Sequence, residues 1–293
     1  MSKTLTIFAN LSLLRDRYYR AARGKEALLR LISETEVSEH VYNSNAIENS
    51  TLTLEETERI LQELKTDRSI TQRELFEARN LARVVQYIES KSLESALSLD
   101  SLTLLHRMLM ANIRDEIAGC FRKEGEWVRV ADHIAPDPKF VVLLLQDALE
   151  EYNANISDNI VKRISRLHLT FENIHPFVDG NGRIGRIINN YLLIREGYVP
   201  INIKYTHRER YYSALREYDQ NGSVARMEEI IGRALAMSYH KRLAYLEGKR
   251  IITLSQYAKD NKTSYTGLLN KADRQTIEAF TEKGIWKIGT LGF

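Results

Sequence analysis

His175-Pro-Phe-Val-Asp179-Gly-Asn-Gly-Arg183-Ile-Gly-Arg186 packs a titratable base, a carboxylate, three glycines and two arginines into one short run. Ahead of it, Ile160, Ile164, Leu167, Phe171 and Ile174 recur at helical spacing; behind it, so do Ile184, Ile187, Ile188, Tyr191 and Leu192. The segment therefore reads as helix, tight glycine-rich turn, helix.

The physics of such a turn favours an anion. Gly180 and Gly182 carry no Cβ to hold a ligand off the backbone. The second helix starts near Gly182, so its unpaired N–H groups and the positive end of its dipole face the turn. Arg183 and Arg186 are three apart and share one helix face. Arginine opposes the dipole there, a small cost that a polyphosphate's charge removes. Asp179 is the one acid in the turn and is placed to hold Mg2+ against phosphate oxygens. His175 alone can take a proton near neutral pH. The plain alternative is a helix connection with a buried histidine and solvated arginines. His, Asp, Asn and two Arg together at fixed offsets argue against it.

The run resembles the signature of the Fic (Fic/Doc) family, His-x-Phe-x-(Asp/Glu)-Gly-Asn-Gly-Arg-x-x-Arg, and matches every fixed position; the likeness extends over about Leu99 to Met237. The resemblance implies a protein adenylyltransferase, which moves AMP from ATP to a Ser, Thr or Tyr hydroxyl of a target protein. It implies His175 as the base, Asp179 as the Mg2+ ligand and the backbone of Gly180 to Gly182 around the α- and β-phosphates. Asn181 is then expected on an α-phosphate oxygen, Arg183 on the β-phosphate and Arg186 on the γ-phosphate. Phe177 is expected to anchor the turn in the core. Relatives that phosphorylate instead carry a lysine near the position of Gly182, and this chain does not.

Ser44-Asn-Ala-Ile-Glu48-Asn49 places Ser44 and Glu48 one helical turn apart. Read plainly it is an exposed helix end with Asn49 as cap. It also resembles the Fic inhibitory motif, (Ser/Thr)-x-x-x-Glu-(Gly/Asn), which implies that Glu48 reaches Arg186. A carboxylate in that guanidinium fork removes the γ-phosphate clamp. ATP held about 1 Å out of place loses on the order of a hundredfold in rate. The resemblance also allows the reverse reaction, removal of AMP, with Glu48 aligning a water.

The whole chain of 293 residues is 28% charged and 43% hydrophobic, an ordinary globular balance. Its longest aliphatic run is Val141 to Leu145, far short of a membrane span, and the start lacks a signal-peptide core. A cytoplasmic protein with no membrane contact is the expectation. The single Cys120 excludes an intrachain disulfide. Four prolines and few early glycines predict long helices with short joints. Capping-box patterns at Ser33/Glu36, Thr53/Glu56, Thr71/Glu74 and Thr206/Glu209 mark helix starts. Helices are read at about 4–22, 24–32, 34–49, 54–66, 71–90, 99–113, 139–154, 158–174, 182–196, 207–219 and 224–247. Trp127, Val128 and Val130 interrupt this pattern, and a short hairpin is expected before Ala135-Pro-Asp-Pro138. In the Fic family that position is a flap that pairs with an extended target segment. His133 is read as a flap side chain and His168 as a core histidine; His40, His106, His207 and His240 show no ligand spacing.

Residues 249–293 hold eight Lys or Arg against four Asp or Glu, while the rest is near balance. Thr253–Lys259 and Tyr265–Asp273 read as two short helices around a polar turn, and Thr276–Ile288 as a wing around Lys283-Gly284. This resembles a winged helix-turn-helix, which implies duplex DNA as partner; a protein-docking module is the alternative. The expected class is mainly α: a helical region 1–98, a Fic-type core 99–248 with its hairpin, and the module 249–293. ATP and a target protein are the partners implied by resemblance. A homodimer is compatible with the sequence and not dictated by it. A regulator that uses the site to sense nucleotide stays open beside the enzyme.

Overall fold

The computed structural model describes residues 3–130 and 133–290; the expected flap positions Ala131 and Asp132 fall outside them. The helices are α1 (Lys3–Ala22), α2 (Glu26–Ile47), α3 (Leu54–Leu61), α4 (Gln72–Glu94), α5 (Leu99–Met110), α6 (Val141–Ala154), α7 (Ile160–Ile174), α8 (Asn181–Arg195), α9 (Arg208–Asn221), α10 (Ala225–Leu246), α11 (Leu254–Asp260) and α12 (Tyr265–Asp273). The strands are β1 (Arg129–Val130), β2 (His133–Ile134), β3 (Arg250–Thr253), β4 (Ala279–Glu282) and β5 (Ile285–Thr290). No helix among the described residues is long and apolar enough to cross a membrane.

Two compact units result, one of Val37–Tyr198 with Ile203–Glu228, the other of Met1–Glu36, Val199–Asn202 and Glu229–Phe293. They cut across the linear division at 98 and 248, because the long helices α2 and α10 each contribute one end to each unit.

Thr53 and Thr71 close full capping boxes with Glu56 and Glu74, so α3 and α4 start where their sequence signals say. The box at Ser33 does not form. Helix α2 runs unbroken through it, and Glu36 instead pairs with Arg242 at 2.6 Å and Lys241 at 3.2 Å. Thr206 is no cap either: it lies in a 3-10 turn, Tyr205–His207, ahead of α9. The expected helix 54–66 stops at Leu61.

In the larger unit α8 is the central rod. Nearly all of it is buried, with Ile184 and Ile187 fully so, and an all-round buried helix needs neighbours on every side. Helices α4, α5 and α7 provide that packing, and Leu81 and Val84 of α4, Leu105 and Leu109 of α5, and Ile164 and Phe171 of α7 are buried. Each such side chain stabilises the fold by about 1.5–3 kcal/mol. Ahead of α6, β1 and β2 pair antiparallel, Arg129 with Ile134 and Val130 with His133.

The end of the chain carries a three-stranded antiparallel sheet in the order β3-β5-β4, with α11 and α12 between β3 and β4. Strand β3 was not expected. Lys283 and Gly284 both have positive φ, as a two-residue hairpin turn requires. Leu254, Ala258, Leu268, Ala272, Ala279 and Ile288 form the core of this module.

Candidate active site

Helix α7 ends on His175, whose φ of 50° puts it in the left-handed region. A side chain there costs of order 1–3 kcal/mol, so the surroundings must hold it. Its N–H donates to Phe171 O at 2.9 Å. Its Nδ1 lies 3.3 Å from Glu172 O; a carbonyl only accepts, so Nδ1 carries the proton and Nε2 keeps its lone pair. After it, Phe177 is fully buried and stacks on His106 with ring centroids 3.8 Å apart. Gly180 then takes φ 81°, which a glycine adopts without strain, and starts α8 with no side-chain cap. The first N–H groups of α8 therefore face the turn without a side-chain acceptor.

Asn181 turns its side chain onto the turn itself. Its amide oxygen accepts from Phe177 N at 2.9 Å and its amide nitrogen donates to Phe177 O at 2.8 Å. The side chain staples the turn from inside. His106 adds a second brace: Gly119 N donates to its Nδ1 at 2.9 Å, so Nε2 donates to Asp179 O at 3.0 Å.

Arg122, 3% exposed, is a third brace. Its guanidinium donates to His175 O at 2.7 Å, Ile174 O at 3.1 Å, Glu126 O at 3.0 Å and Pro136 O at 2.9 Å. Its own N–H reaches Pro176 O at 2.8 Å. One side chain thus ties both feet of the β1–β2 hairpin to the backbone of His175. His133 of the hairpin is held by Asn173 O at 2.9 Å and Asp219 at 2.7 Å, which commits both ring nitrogens to anchoring.

The acid and the arginines are paired. Asp179 lies 3.5 Å from Arg73 and 3.3 Å from Arg183, and Arg183 also meets Glu77 at 3.5 Å. Arg186 is 3% exposed and bound by the end of α2. Its Nε donates to Ser44 Oγ at 2.9 Å, and one terminal nitrogen reaches Ser44 O at 2.8 Å and Glu48 Oε1 at 2.9 Å. The local backbone explains the aim of Glu48. Asn49, at φ 68°, closes a Schellman end in which Ser50 N bonds Asn45 O and Asn49 N bonds Ala46 O. Glu48 is the capping residue of that end, and Arg208 fastens Asn49 through its side-chain oxygen at 2.6 Å. A hydrophobic-to-polar periodicity could not have shown this.

Residues 96–193 match the model of the Fic/DOC family. They form a Fic domain. Over 201 residues the chain is 31% identical to the protein adenylyltransferase Fic of Drosophila grimshawi, a span of 67% of this chain and 41% of that one. With the protein adenylyltransferase Fic of Nematostella vectensis it shares 28% over 208 residues, 69% of this chain and 48% of the other. The chain thus spans less than half the length of these relatives. Its fold is similar to a Fic-domain-containing signaling protein from Bacteroides thetaiotaomicron, with a TM-score of 0.75 at 21% identity over 82% of this chain and 98% of that one. It is also similar to a Fic family protein from Desulfovibrio desulfuricans, with a TM-score of 0.70 at 20% identity over 99% and 96%.

The electrostatics of the Fic domain follow from burial. His175 is pushed down to about 4 by desolvation, and His106 likewise to about 4. Both are neutral at pH 7. Burial works to lower Arg186, but the attraction of its neighbours, Glu48 foremost, outweighs it and the guanidinium stays protonated. Glu172 lies behind Arg186 on α7, fully buried, 3.2 Å from the Tyr211 hydroxyl. Desolvation, with the charge of Glu48 second, raises it to about 7. For a metal, no cluster of three or more His, Cys, Asp or Glu exists among the described residues. A lone carboxylate such as Asp179 suits Mg2+, which takes one or two protein oxygens beside phosphates and water.

Sequence reasoning passed over Arg122, His106, Glu172 and Tyr211. Glu172 carried a readable signal, since a carboxylate one turn from His168 on the apolar face of α7 needs a partner. Arg122 carried none, because its partners are main-chain carbonyls.

Proposed function

We propose that this protein transfers AMP from ATP to a Ser, Thr or Tyr hydroxyl of a target protein, and that Glu48 holds it inactive. The observation that carries this reading is the Glu48–Arg186 contact at 2.9 Å beside an uncapped helix start in a complete Fic signature. The names of the similar fly and anemone proteins support the same activity.

In this reading the N–H groups at the start of α8 receive the α- and β-phosphates, and Arg183 neutralises charge that grows on the leaving pyrophosphate. Arg186, once free of Ser44 and Glu48, holds the γ-phosphate by charge-assisted bonds. Asp179 would hold Mg2+, which supplies charge neutralisation on the phosphates. The target hydroxyl, presented along the β1–β2 hairpin, gives its proton to Nε2 of His175 as its oxygen bonds to the α-phosphorus. The bond to the bridging oxygen breaks and pyrophosphate leaves. Asn181 acts from within, by fixing the shape of the turn through Phe177.

The deciding assay uses ATP labelled on its α-phosphate with a cell extract as target source. Glu48→Gly should label protein strongly, wild type weakly, and Glu48→Gly/His175→Ala not at all. Equal labelling by wild type and Glu48→Gly would remove the inhibitory role. No labelling by either, with ATP bound, would leave a nucleotide sensor in place of the enzyme.

A further inference from the structure

We propose that the C-terminal module, residues 250–290, binds duplex DNA through the exposed face of α12. Net charge alone is a weak argument here, because Glu278 and Glu282 dilute it. The ion pairs remove that objection. Glu278 is taken by Arg17 and by Lys249, the latter at 2.8 Å. Glu282 is taken by Lys287 and by Lys241, the latter at 3.3 Å. Asp273 is held by Arg233 at 3.2 Å. The fourth acid, Asp260, accepts from Gln256 at 2.6 Å.

Four of the remaining cations belong to the α11–α12 segment. Lys259, Lys262, Lys271 and Arg274 are exposed and make no ion pair among the described residues. Lys259 and Lys262 flank the turn between α11 and α12, and Lys271 and Arg274 lie at the end of α12. The module is docked by another part of its surface: Phe280 of β4 is fully buried against Met237 and Ala244. Docking therefore consumes three of the acids and leaves these cations in solvent.

The chemistry of α12 selects the partner. Leu268 and Ala272 turn inward to the core of the module. Thr266, Asn270 and Arg274 recur every four residues, so they line one exposed stripe. A carboxamide and a guanidinium one turn apart match the paired edges of adenine and guanine in the major groove. The second helix of a helix-turn-helix is the element that enters that groove, with the turn lysines on phosphates. The major groove of double-stranded RNA is too narrow for such a helix, which favours DNA.

The test is fluorescence anisotropy of the full chain with a labelled mixed-sequence duplex of about 30 base pairs between roughly 50 and 200 mM salt. Three phosphate contacts, from Lys259, Lys262 and Lys271, predict a log–log salt slope of about −3. Lys271→Glu/Arg274→Glu should weaken binding at least about tenfold and flatten that slope. Lys259→Gln/Lys262→Gln, outside α12, should flatten it by about two. Lys65→Glu/Arg83→Glu, an equal charge change in the other unit, should bind as wild type. Thermal melting checks that each variant is folded. Absence of binding at low salt, a salt-insensitive affinity, equal loss in the Lys65/Arg83 variant, or tighter binding to an RNA duplex of the same length overturns the proposal.

Discussion

A methyl group on Gly182 would lie 2.1 Å from Oε1 of Glu48 and 2.9 Å from its Cδ. The carboxylate thus rests directly on the first turn of α8. This contact can be tested without any assay of activity. Gly182→Ala must displace Glu48, so it should cost about 1–3 kcal/mol of stability, as overpacking does. In a Glu48→Gly background only Arg186 Nη1, at 3.2 Å, stays close, and the same change should cost much less, since alanine suits a helix better than glycine. Urea unfolding of the four proteins gives the coupling directly. An equal loss in both backgrounds would place the strain elsewhere.

His175 should act as a base well below the usual histidine range. Burial holds it near 4, against 6.5 for the free side chain. Its lone pair is therefore available at every pH above about 4, and is lost only as pH falls through that value. Glu48 raises the histidine slightly by its charge, so Glu48→Gly moves the value further down. The acid limb of AMP transfer by Glu48→Gly should lie near or below pH 4–4.5. A limb near 6.5 would mean that the imidazole is solvated in the working enzyme. Stability follows the same sign: the contribution of His175 is full above pH 6.5 and is lost as pH drops toward 4.

Arg122 should matter for rate more than for nucleotide affinity. Its fork spans the carbonyls of Ile174, His175, Glu126 and Pro136, and no lysine can cover four such points from one ammonium. Arg122→Lys leaves buried carbonyls unpaired, at about 1–3 kcal/mol for each. Transfer should fall at least about tenfold through misplacement of His175 and the hairpin. ATP affinity should stay within about twofold, since Arg122 is bonded to carbonyls at the base of the turn and not to the helix start. Hydrogen exchange at the amides of residues 127–130 should speed up. A pure rise in KM for ATP would contradict this positioning role.

How much of this was readable in advance depended on what kind of partner each residue has. The helix–turn–helix around His175 was legible because apolar periodicity brackets a glycine cluster. The likeness of Ser44 to Asn49 to an inhibitory motif pointed at Arg186, but the Schellman end that aims Glu48 has no sequence spacing of its own beyond Asn49. Ser33 and Glu36 mimicked a cap because local pattern cannot show that Glu36 meets Lys241 and Arg242, more than two hundred residues away. Strand β3 was missed because Arg250-Ile-Ile-Thr253 is too short for alternation to declare itself. The bonds of the Asn181 side chain to the Phe177 backbone were not legible either, since a sequence shows a donor and not the main-chain groups folded around it.

Glu172 should make the stability of this protein fall as pH rises from 6.5 to 8. Desolvation, reinforced by the charge of Glu48, lifts it from 4.5 to about 7. The folded chain therefore keeps a proton that the unfolded chain has released by pH 6.5. Stability contributed by that proton is full below 4.5 and is lost as pH climbs through about 7. His106, His168 and His175 pull the other way, but their folded values of about 4, 3 and 4 confine their effect to pH below about 6.5. Between pH 6.5 and 8 the carboxyl governs this cluster, with a loss of roughly 1 kcal/mol. Glu172→Gln preserves the acceptor for Tyr211 and cannot ionise, so its unfolding midpoint should be flat over that window. Glu48→Gly should flatten the slope in part, because one source of the shift is gone. If Glu172→Gln tracks the wild-type slope instead, Glu172 is already ionised beside Arg186, and Glu48 has a competitor for the guanidinium at neutral pH.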